Sequence, residues 1–152
     1  MQNIFEYMYE QHYKKGIVPT LDRLKVIYDL YNLNLPKEKI IHITGTNGKG
    51  SVTALLKSIL EENNKRVGVF TSPHIYDITE RFYADGKLID KKELENILID
   101  LKKKVDEYQN EHPYHFITFF EYMTMAAFIW FDKLNLDYII LEVGMGGLYD
   151  AT

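Results

Sequence analysis

The sequence predicts an α/β fold in which a parallel β-sheet is flanked by helices, with a small β-hairpin flap. Three apolar runs, at residues 40–44, 66–71 and 138–142, have the length and composition of buried strands. A helical pattern of about 14 residues joins the first two runs, which indicates a right-handed βαβ unit. Asp85 and Gly86 lie between two short apolar runs and predict the hairpin.

Length and composition are those of one globular domain, which we divide into leading helices at residues 1–36 and a βαβ core at residues 37–152. The net charge of −4 gives no basic surface for nucleic acid, and the absence of cysteine excludes disulfides and thiolate metal sites. No apolar run reaches the roughly 18 residues of a membrane span, and the N-terminus lacks a signal-peptide pattern. We therefore expect a cytoplasmic protein with no nucleic-acid or membrane partner.

The first helices are predicted from apolar periodicity. A helix at residues 3–14 ends at Gly16, and Thr20 is the expected N-cap of a second helix. No chemistry is expected from either helix. The helix after the first strand spans about residues 50–63, and four of its side chains are expected to face the sheet: Leu55, Leu56, Ile59 and Leu60.

Two later helices carry capping residues at their starts. Asp90 precedes a long polar helix at about residues 91–110. Thr118 and Glu121 form a capping pair that opens an apolar helix continuing through residues 122–134. This last helix is apolar on most sides, so we expect it to lie between two layers.

A glycine-rich loop connects the first strand to the next helix, with the sequence TGTNGKGS at residues 44–51. The order of strand, glycine loop and helix is that of a P-loop, in which backbone N–H groups at the helix start bind phosphates. Lys49 would reach the β- and γ-phosphates, and the Ser51 hydroxyl would contact Mg²⁺. In the common P-loop motif, serine or threonine directly follows the lysine, whereas here Gly50 lies between Lys49 and Ser51. A glycine-rich turn that binds nothing is the alternative, and we favour the P-loop.

Two polar residues follow the other strands at the sheet edge where ligands bind in open α/β folds. Glu142 ends a fully apolar run, where an unpaired charge is costly. An acidic residue in that position holds Mg²⁺ in P-loop proteins, and we favour this role over a bond to the glycine-rich loop that follows. Ser72 either turns the chain with Pro73 or contacts Mg²⁺, and the residues alone leave both open.

Three further polar residues have both a structural and a functional interpretation. His42 interrupts the first strand and is expected to be a buried structural group. Arg81 either binds an anionic substrate or pairs with Glu80 or another carboxylate, and we favour the pair. Glu121 is interpreted as the capping acid of its helix in preference to a ligand contact.

The glycine loop, GTNGKGS at residues 45–51, resembles the P-loop of folylpolyglutamate synthases and dihydrofolate synthases, in the Mur ligase superfamily. Three further stretches resemble the same family in the same order: Thr71-Ser72-Pro73-His74 with Glu80-Arg81, Thr118-Phe119-Phe120-Glu121, and Glu142–Gly147 followed by Asp150-Ala151-Thr152. One departure is Leu148-Tyr149, where the family commonly has an arginine. Because proteins of this family are far longer, the resemblance implies an incomplete Mur ligase central domain that carries the ATP-binding portion.

The resemblance implies ATP and Mg²⁺ as cofactors and indicates which residues bind them. ATP contacts are expected from six residues: Thr46, Asn47, Gly48, Lys49, Gly50 and Ser51. Lys49 is also expected to be catalytic, because its charge would stabilise phosphoryl transfer. The expected metal ligands are Ser51, Ser72 and Glu142, and the expected substrate contacts are Ser72, Pro73, His74 and Arg81.

The implied reaction joins L-glutamate to the carboxylate of a folate or of dihydropteroate. That carboxylate attacks the γ-phosphate of ATP, and the amine of glutamate attacks the acyl phosphate, which gives an amide, ADP and phosphate. The sequence leaves open which glutamate is added. Two alternatives are a stand-alone ATP-binding module without ligase activity and a cell-wall Mur-type amino-acid ligase, which Gly50 and residues 71–74 disfavour.

The resemblance has two consequences for the isolated chain. It is expected to be inactive as a ligase, because later parts of the family's proteins supply further site groups. An incomplete sheet would also end at an uncovered edge, which invites pairing with another chain. We therefore expect self-association through that edge, or packing of the N-terminal helices over it.

Overall fold

The computed structural model of the chain describes residues 3–14, 21–112, 117–146, 148 and 150–152. Four residues with specific predictions lie outside these ranges: Gly16, Thr20, Gly147 and Tyr149. The helices and strands are α1 (Ile4–Lys14), α2 (Asp22–Leu30), β1 (Ile40–Ile43), α3 (Lys49–Glu62), β2 (Val67–Phe70), β3 (Phe82–Ala84), β4 (Lys87–Leu88), α4 (Lys91–Glu111), α5 (Phe119–Asp132) and β5 (Tyr138–Glu142). No helix within the described ranges combines the length and apolarity needed to cross a lipid bilayer.

The last strand in the sequence, β5, lies in the middle of the parallel part of the sheet. The strand order is β1-β5-β2-β3-β4, and β5 pairs in parallel with both β1 and β2. Ile43 lies opposite Glu142, and Phe70 lies opposite Leu141, so the three strands end at the same edge. The parallel sheet flanked by helices is therefore confirmed.

The predicted hairpin is confirmed, and it extends the sheet. β3 pairs with β2 and β4 pairs with β3, both in antiparallel orientation. Asp85 and Gly86 at the turn have φ angles of 50° and 84°, as tight hairpin turns require. The guanidinium of Arg66 forms an ion pair with the Asp85 carboxylate. The hairpin thus continues the sheet on the side opposite β1.

The two faces of the sheet are covered unequally. One face packs on α5, against which α1, α2 and α4 also pack, and a large core forms there. The other face packs on α3, where a small cluster consists of Ile43, Val67, Val69 and Ile140, with Leu56 and Leu60 against it. Successive strand residues serve the two faces in turn, as Val69 and Phe70 do, because side chains alternate along a strand.

The predicted sheet-facing set of α3 is wrong for two residues. Leu55 and Ile59 are 66% and 59% exposed, whereas Leu56 and Leu60 pack on the small cluster. The reason is geometric, because α3 packs mainly on the flat face of the sheet. Such a face covers only one row of helix side chains, four residues apart in the sequence, as Leu56 and Leu60 are. Val52 lies on the same uncovered side as Leu55 and is 52% exposed.

β1 is an edge strand, and the prediction that His42 is buried is wrong. Only β5 pairs with β1 in the described sheet, so Ile40 and Ile41 are half-buried and His42 is exposed. The Nε2 atom of His42 lies 2.8 Å from the hydroxyl oxygen of Thr152. Of the described helices, α1 packs on α4 and α5, and α2 packs on α5. Self-association through the β1 edge stays a prediction.

The predicted caps of α4 and α5 are confirmed. The Asp90 carboxylate accepts hydrogen bonds from the backbone N–H groups of Lys92 and Glu93. Thr118 and Glu121 form a full capping box, with N···O distances of 3.3 Å from Glu121 N to Thr118 Oγ1 and 2.7 Å from Thr118 N to Glu121 Oε2. Because these bonds satisfy donors at its N-terminus, α5 can begin inside the core, where most of its residues are buried.

We predict that Gly68→Ala destabilises the fold by about 1–3 kcal/mol, because it overpacks the contacts of β2 with α5 and with the segment after α5. A Cβ atom at this position would lie 2.6 Å from Leu136 Cδ1 and 3.1 Å from the ring of Phe131. Urea unfolding measures the change. The double variant Gly68→Ala with Leu136→Ala should lose less stability than the sum of the losses in the two single variants. Strict additivity would contradict a clash between the added methyl group and Leu136.

Candidate functional site

Three loops meet at the edge where β1, β2 and β5 end. They begin at Thr44, Thr71 and Val143, directly after the three parallel strands. The hydroxyl of Thr44 donates a 3.0 Å hydrogen bond to the carbonyl of Gly146, and the N–H of Val143 donates to the carbonyl of Ile43 at 2.9 Å. The first and last predicted site segments are therefore physically joined, as the rule for ligand sites in open α/β sheets predicts.

The glycine loop has the backbone form of an anion-binding helix start. Gly48 is the N-cap of α3 with φ 80° and ψ 0°, a left-handed conformation that favours glycine. No side chain caps α3, so the N–H groups of its first turn remain available to a ligand. The Lys49 ammonium donates a 2.9 Å hydrogen bond to the carbonyl of Gly45 and so lies across the loop. Ser51 is exposed in the first turn of α3.

Glu142 is a buried carboxylate at the centre of this edge. It is 5% exposed, and no described residue forms a hydrogen bond or ion pair with its carboxylate. The alternative role predicted for Glu142 is a hydrogen bond to the glycine-rich loop that follows it. In the structure, Asp150 makes the hydrogen bonds to that loop. The Asp150 carboxylate accepts from Met145 N at 2.7 Å, and from Thr152 N and Oγ1 at 3.0 and 2.6 Å. Asp150, and not Glu142, therefore fixes the glycine-rich loop after β5.

The candidate metal ligands have the chemistry that Mg²⁺ prefers. Ser51, Ser72 and Glu142 offer two hydroxyls and one carboxylate, all oxygen donors. The described residues contain no group of three or more His, Cys, Asp or Glu side chains that could form a cage for a metal. This donor set fits Mg²⁺, which usually takes one or two protein carboxylates together with substrate phosphates and water. The metal role of these residues stays a prediction.

The loop after β2 is held by two carboxylates, Asp77 and Glu80, for which we predict no such role from the sequence. The Glu80 side chain accepts from the backbone N–H groups of Ile75, Tyr76 and Asp77 at 2.8, 3.0 and 2.8 Å. These bonds, led by that from Ile75, lower the pKa of Glu80. The Asp77 side chain accepts from the N–H and hydroxyl of Thr79, and the backbone bond is the main reason that its pKa falls to about 2. A capping-box pattern, D-x-x-E at residues 77–80, is the sequence signal for this arrangement.

Arg81 does not pair with Glu80, and the favoured interpretation of this residue is wrong. The three backbone N–H groups already occupy the Glu80 carboxylate, and the described ion pairs do not include Arg81. Its Nε donates instead to Nδ1 of His74 at 2.8 Å, and its guanidinium carbon lies 5.4 Å from the centre of the Phe119 ring. Ser72 and Pro73, which are joined by a cis peptide bond, directly precede His74.

Arg81 is a buried cation with unused hydrogen-bonding capacity. It is 6% exposed, and its buried Nη1 atom has no hydrogen-bond partner among the described residues. Burial lowers the pKa of Arg81, and the negative charge of Glu142 acts against that change. Burial, followed by the charge of Arg81, lowers the pKa of His74. The edge therefore holds an anion, Glu142, and a cation, Arg81, that each lack a full set of partners.

The fold and this edge define an α/β protein with a P-loop-type site. No protein-family model matches the sequence. The dihydrofolate synthase/folylpolyglutamate synthase of Bacillus subtilis is 38% identical over 142 residues, which are 91% of this chain and 32% of that protein. The folylpolyglutamate synthase of Thermotoga maritima matches with a TM-score of 0.84 and 34% identity, over 97% of this chain and 34% of that one.

A second solved structure extends the likeness to a liganded protein. It is a bifunctional folylpolyglutamate synthase/dihydrofolate synthase with Mn, AMPPNP and L-glutamate bound, with a TM-score of 0.83 and 30% identity over 99% of this chain and 35% of that one. The chain is homologous along nearly its whole length to the folylpolyglutamate and dihydrofolate synthases, and the family indicated by its motifs is confirmed. It spans about a third of the length of the curated relatives it matches.

We predict opposite stability effects for alanine at two glycines of the loop. At both Gly48 and Gly50 a Cβ atom would meet nothing within 4 Å, but only Gly48 has a positive φ, of 80°. Gly48→Ala should lower the free energy of unfolding by about 1–2 kcal/mol, the cost of a left-handed residue. Gly50→Ala should raise it by roughly 0.5–1 kcal/mol, because alanine favours the helix. Urea unfolding of both variants checks the pair, and equal effects would contradict the assigned backbone.

Proposed function

We propose that the chain is the ATP-binding portion of a folate amide ligase, which joins L-glutamate to a folate or dihydropteroate carboxylate. The observation that carries this proposal is the buried, unpaired carboxylate of Glu142 one strand away from an uncapped P-loop. It is supported by homology to enzymes whose names state this activity and by a relative with a nucleotide, Mn and L-glutamate bound. Since the chain spans about a third of those relatives, the complete reaction is proposed for a protein that also supplies the remaining two thirds.

The glycine loop would bind the phosphates of ATP. The N–H groups of the first turn of α3 face an anion with the positive end of the helix dipole. The Lys49 ammonium, which now bonds the Gly45 carbonyl, lies over the same loop and would exchange that carbonyl for phosphate oxygens. Thr46, Asn47 and Gly50 would contribute backbone contacts. The chain's part in phosphoryl transfer is then positioning and charge stabilisation.

Ser51, Ser72 and Glu142 would hold Mg²⁺ beside these phosphates. When bound, the ion would supply Lewis-acid polarisation of phosphoryl oxygens. Glu142 contributes the charge, and its burial keeps that carboxylate away from competing water. Because Glu142 is directly opposite the last residue of β1, its place relative to the P-loop is fixed by strand register.

The loop from Ser72 to Arg81 would form the carboxylate side of the substrate site. The substrate's carboxylate oxygen attacks the γ-phosphorus, the bond to the leaving ADP oxygen breaks, and an acyl phosphate forms. The amine of L-glutamate then attacks the acyl carbon, phosphate leaves, and the amine loses a proton to complete the amide. Arg81 would attract the substrate carboxylate through its unused Nη1 donor. His74 and Pro73 would shape the wall beside it.

We predict that Lys49→Ala weakens binding of ATP with Mg²⁺ by at least about tenfold, because charge-assisted hydrogen bonds to the phosphates are lost. Titration calorimetry on the 152-residue chain measures the affinity. Lys65→Ala, at an exposed lysine just beyond the same helix, is the matched control and should bind as the unaltered chain does. Equal ATP affinities for the two variants would contradict the assignment of the glycine loop as the phosphate-binding site.

We predict that Glu142→Gln separates metal binding from stability. The Mg²⁺ concentration needed for half-maximal ATP binding should rise about tenfold, because the only charged ligand of the proposed set is lost. The free energy of unfolding should change little, since removal of a buried carboxylate without a described hydrogen-bond partner offsets the loss of its attraction for Arg81. Glu62→Gln, at an exposed glutamate of α3, controls for net charge. Lower stability with unchanged Mg²⁺ dependence would assign Glu142 a structural role instead.

A further inference from the structure

A chain of three side chains connects the first helix to the candidate site. The hydroxyl of Tyr9, on α1, lies 3.1 Å from Nε2 of His74, and Nδ1 of the same ring accepts from Nε of Arg81 at 2.8 Å. The sequence gives no sign of this, because Tyr9 lies 65 residues before His74 in a helix with no expected chemistry. Both nitrogens of the His74 ring are thus occupied by partners from different parts of the chain.

The protons in this chain have one consistent arrangement. An arginine Nε always carries a hydrogen and only donates, so Nδ1 of His74 must be the acceptor. A neutral ring then carries its proton on Nε2, and that N–H donates to the hydroxyl oxygen of Tyr9. The Tyr9 hydroxyl is therefore an acceptor that fixes the rotation of the His74 ring, and the ring in turn fixes the Nε–H direction of Arg81.

Phe119 makes a second connection between the same residues. The Tyr9 ring stacks on the Phe119 ring with centroids 5.7 Å apart and an interplanar angle of 19°. The guanidinium of Arg81 lies over the same Phe119 ring, 5.4 Å from its centre. Tyr9 therefore has a fixed ring position as well as a directed hydroxyl, and its remaining exposure of 40% leaves that ring at the surface of the site.

We propose that Tyr9 is a positioning residue: through His74 it holds the guanidinium of Arg81 so that Nη1 stays free to receive a carboxylate. The part of this that concerns a substrate carboxylate rests on the proposed function. The need for such a restraint follows from the charges present. Glu142 is buried and has no described hydrogen-bond partner of its own, and its charge acts on Arg81. A guanidinium released from His74 would be drawn toward that carboxylate. The hydrogen bond to His74 opposes that movement and leaves Nη1 of Arg81 without a protein partner among the described residues.

The test uses the Nε–H signals of arginine in the ¹⁵N-labelled chain. The sequence has three arginines, so the signal of Arg81 is assigned by its loss in Arg81→Lys. Tyr9→Phe removes the hydroxyl but keeps the ring that stacks on Phe119. Exchange of the Arg81 Nε–H with solvent should become at least about tenfold faster in this variant, while the melting temperature and the backbone amide spectrum away from the site stay unchanged.

Tyr76→Phe is the matched control. Tyr76 is 93% exposed and lies in the same loop as His74, so removing its hydroxyl should leave the exchange of Arg81 Nε–H unaltered. Exchange in Tyr9→Phe equal to that in Tyr76→Phe overturns the proposal. A purely structural role for Tyr9 would instead lower the melting temperature without a selective effect on Arg81, and that result also overturns it.

A measurement on the unaltered chain keeps the proposal testable even if Tyr9→Phe does not fold. A two-bond ¹H–¹⁵N spectrum reports which ring nitrogen of each of the five histidines carries the proton, with His74 assigned through His74→Gln. A proton on Nε2 of His74 is required, and a proton on Nδ1 overturns the arrangement.

Binding measurements separate this proposal from the proposed function. Dihydropteroate is titrated into the chain with ATP and Mg²⁺ present, and Tyr9→Phe should weaken its binding roughly three- to tenfold with ATP affinity unchanged. If the unaltered chain binds ATP but not dihydropteroate while Arg81 exchange still responds to Tyr9→Phe, the positioning role stands and the proposed substrate fails. Weaker ATP binding in Tyr9→Phe, without faster Arg81 exchange, contradicts the positioning role.

Discussion

The site depends on one long-range interaction, the insertion of β5 between β1 and β2. β5 is the last strand in the sequence, and it pairs in parallel with two strands that lie about 70 to 100 residues before it. This register places Glu142 beside the end of β1 and ties Val143 and Gly146 to the start of the glycine loop. Without it, β1 and β2 would have no described strand between them, and the three loops would not share an edge. The geometry of the candidate site is therefore complete only when β5 enters the sheet.

The sequence predicts the elements well because their signals are local. Apolar runs mark the three parallel strands. Thr118 and Glu121, which are three residues apart, mark the start of α5 through their capping hydrogen bonds. Strand order is not local, and it decides burial. An apolar run predicts the same buried strand at an edge as in the middle, so the exposure of His42 could not be read from β1 itself. The exposed Leu55 has the same origin, since helical spacing cannot tell how wide the covering surface is.

The placement of candidate site residues could be predicted where a residue type belongs to a local backbone motif, and not where side chains from distant parts of the sequence meet. Lys49 follows from the glycine loop, and Glu142 from its position at the end of a strand. Charge attraction between adjacent residues predicts Glu80 as the partner of Arg81, but in the structure three backbone N–H groups bind that carboxylate. Tyr9 carried no signal, because its contact with His74 exists only after α1 packs on α5.

The pattern of satisfied and unsatisfied groups at this edge indicates its ligand. Each of the two loops that follow β2 and β5 has a carboxylate that binds its own backbone N–H groups: Glu80 in the first and Asp150 in the second. The glycine loop has no such side chain, and the first turn of α3 keeps its donors free. Among the described residues, Glu142 likewise keeps its carboxylate free of hydrogen bonds and ion pairs. Free N–H donors at the start of α3 favour an anion, and the free carboxylate of Glu142 favours a cation. A magnesium nucleotide combines both charges in one ligand.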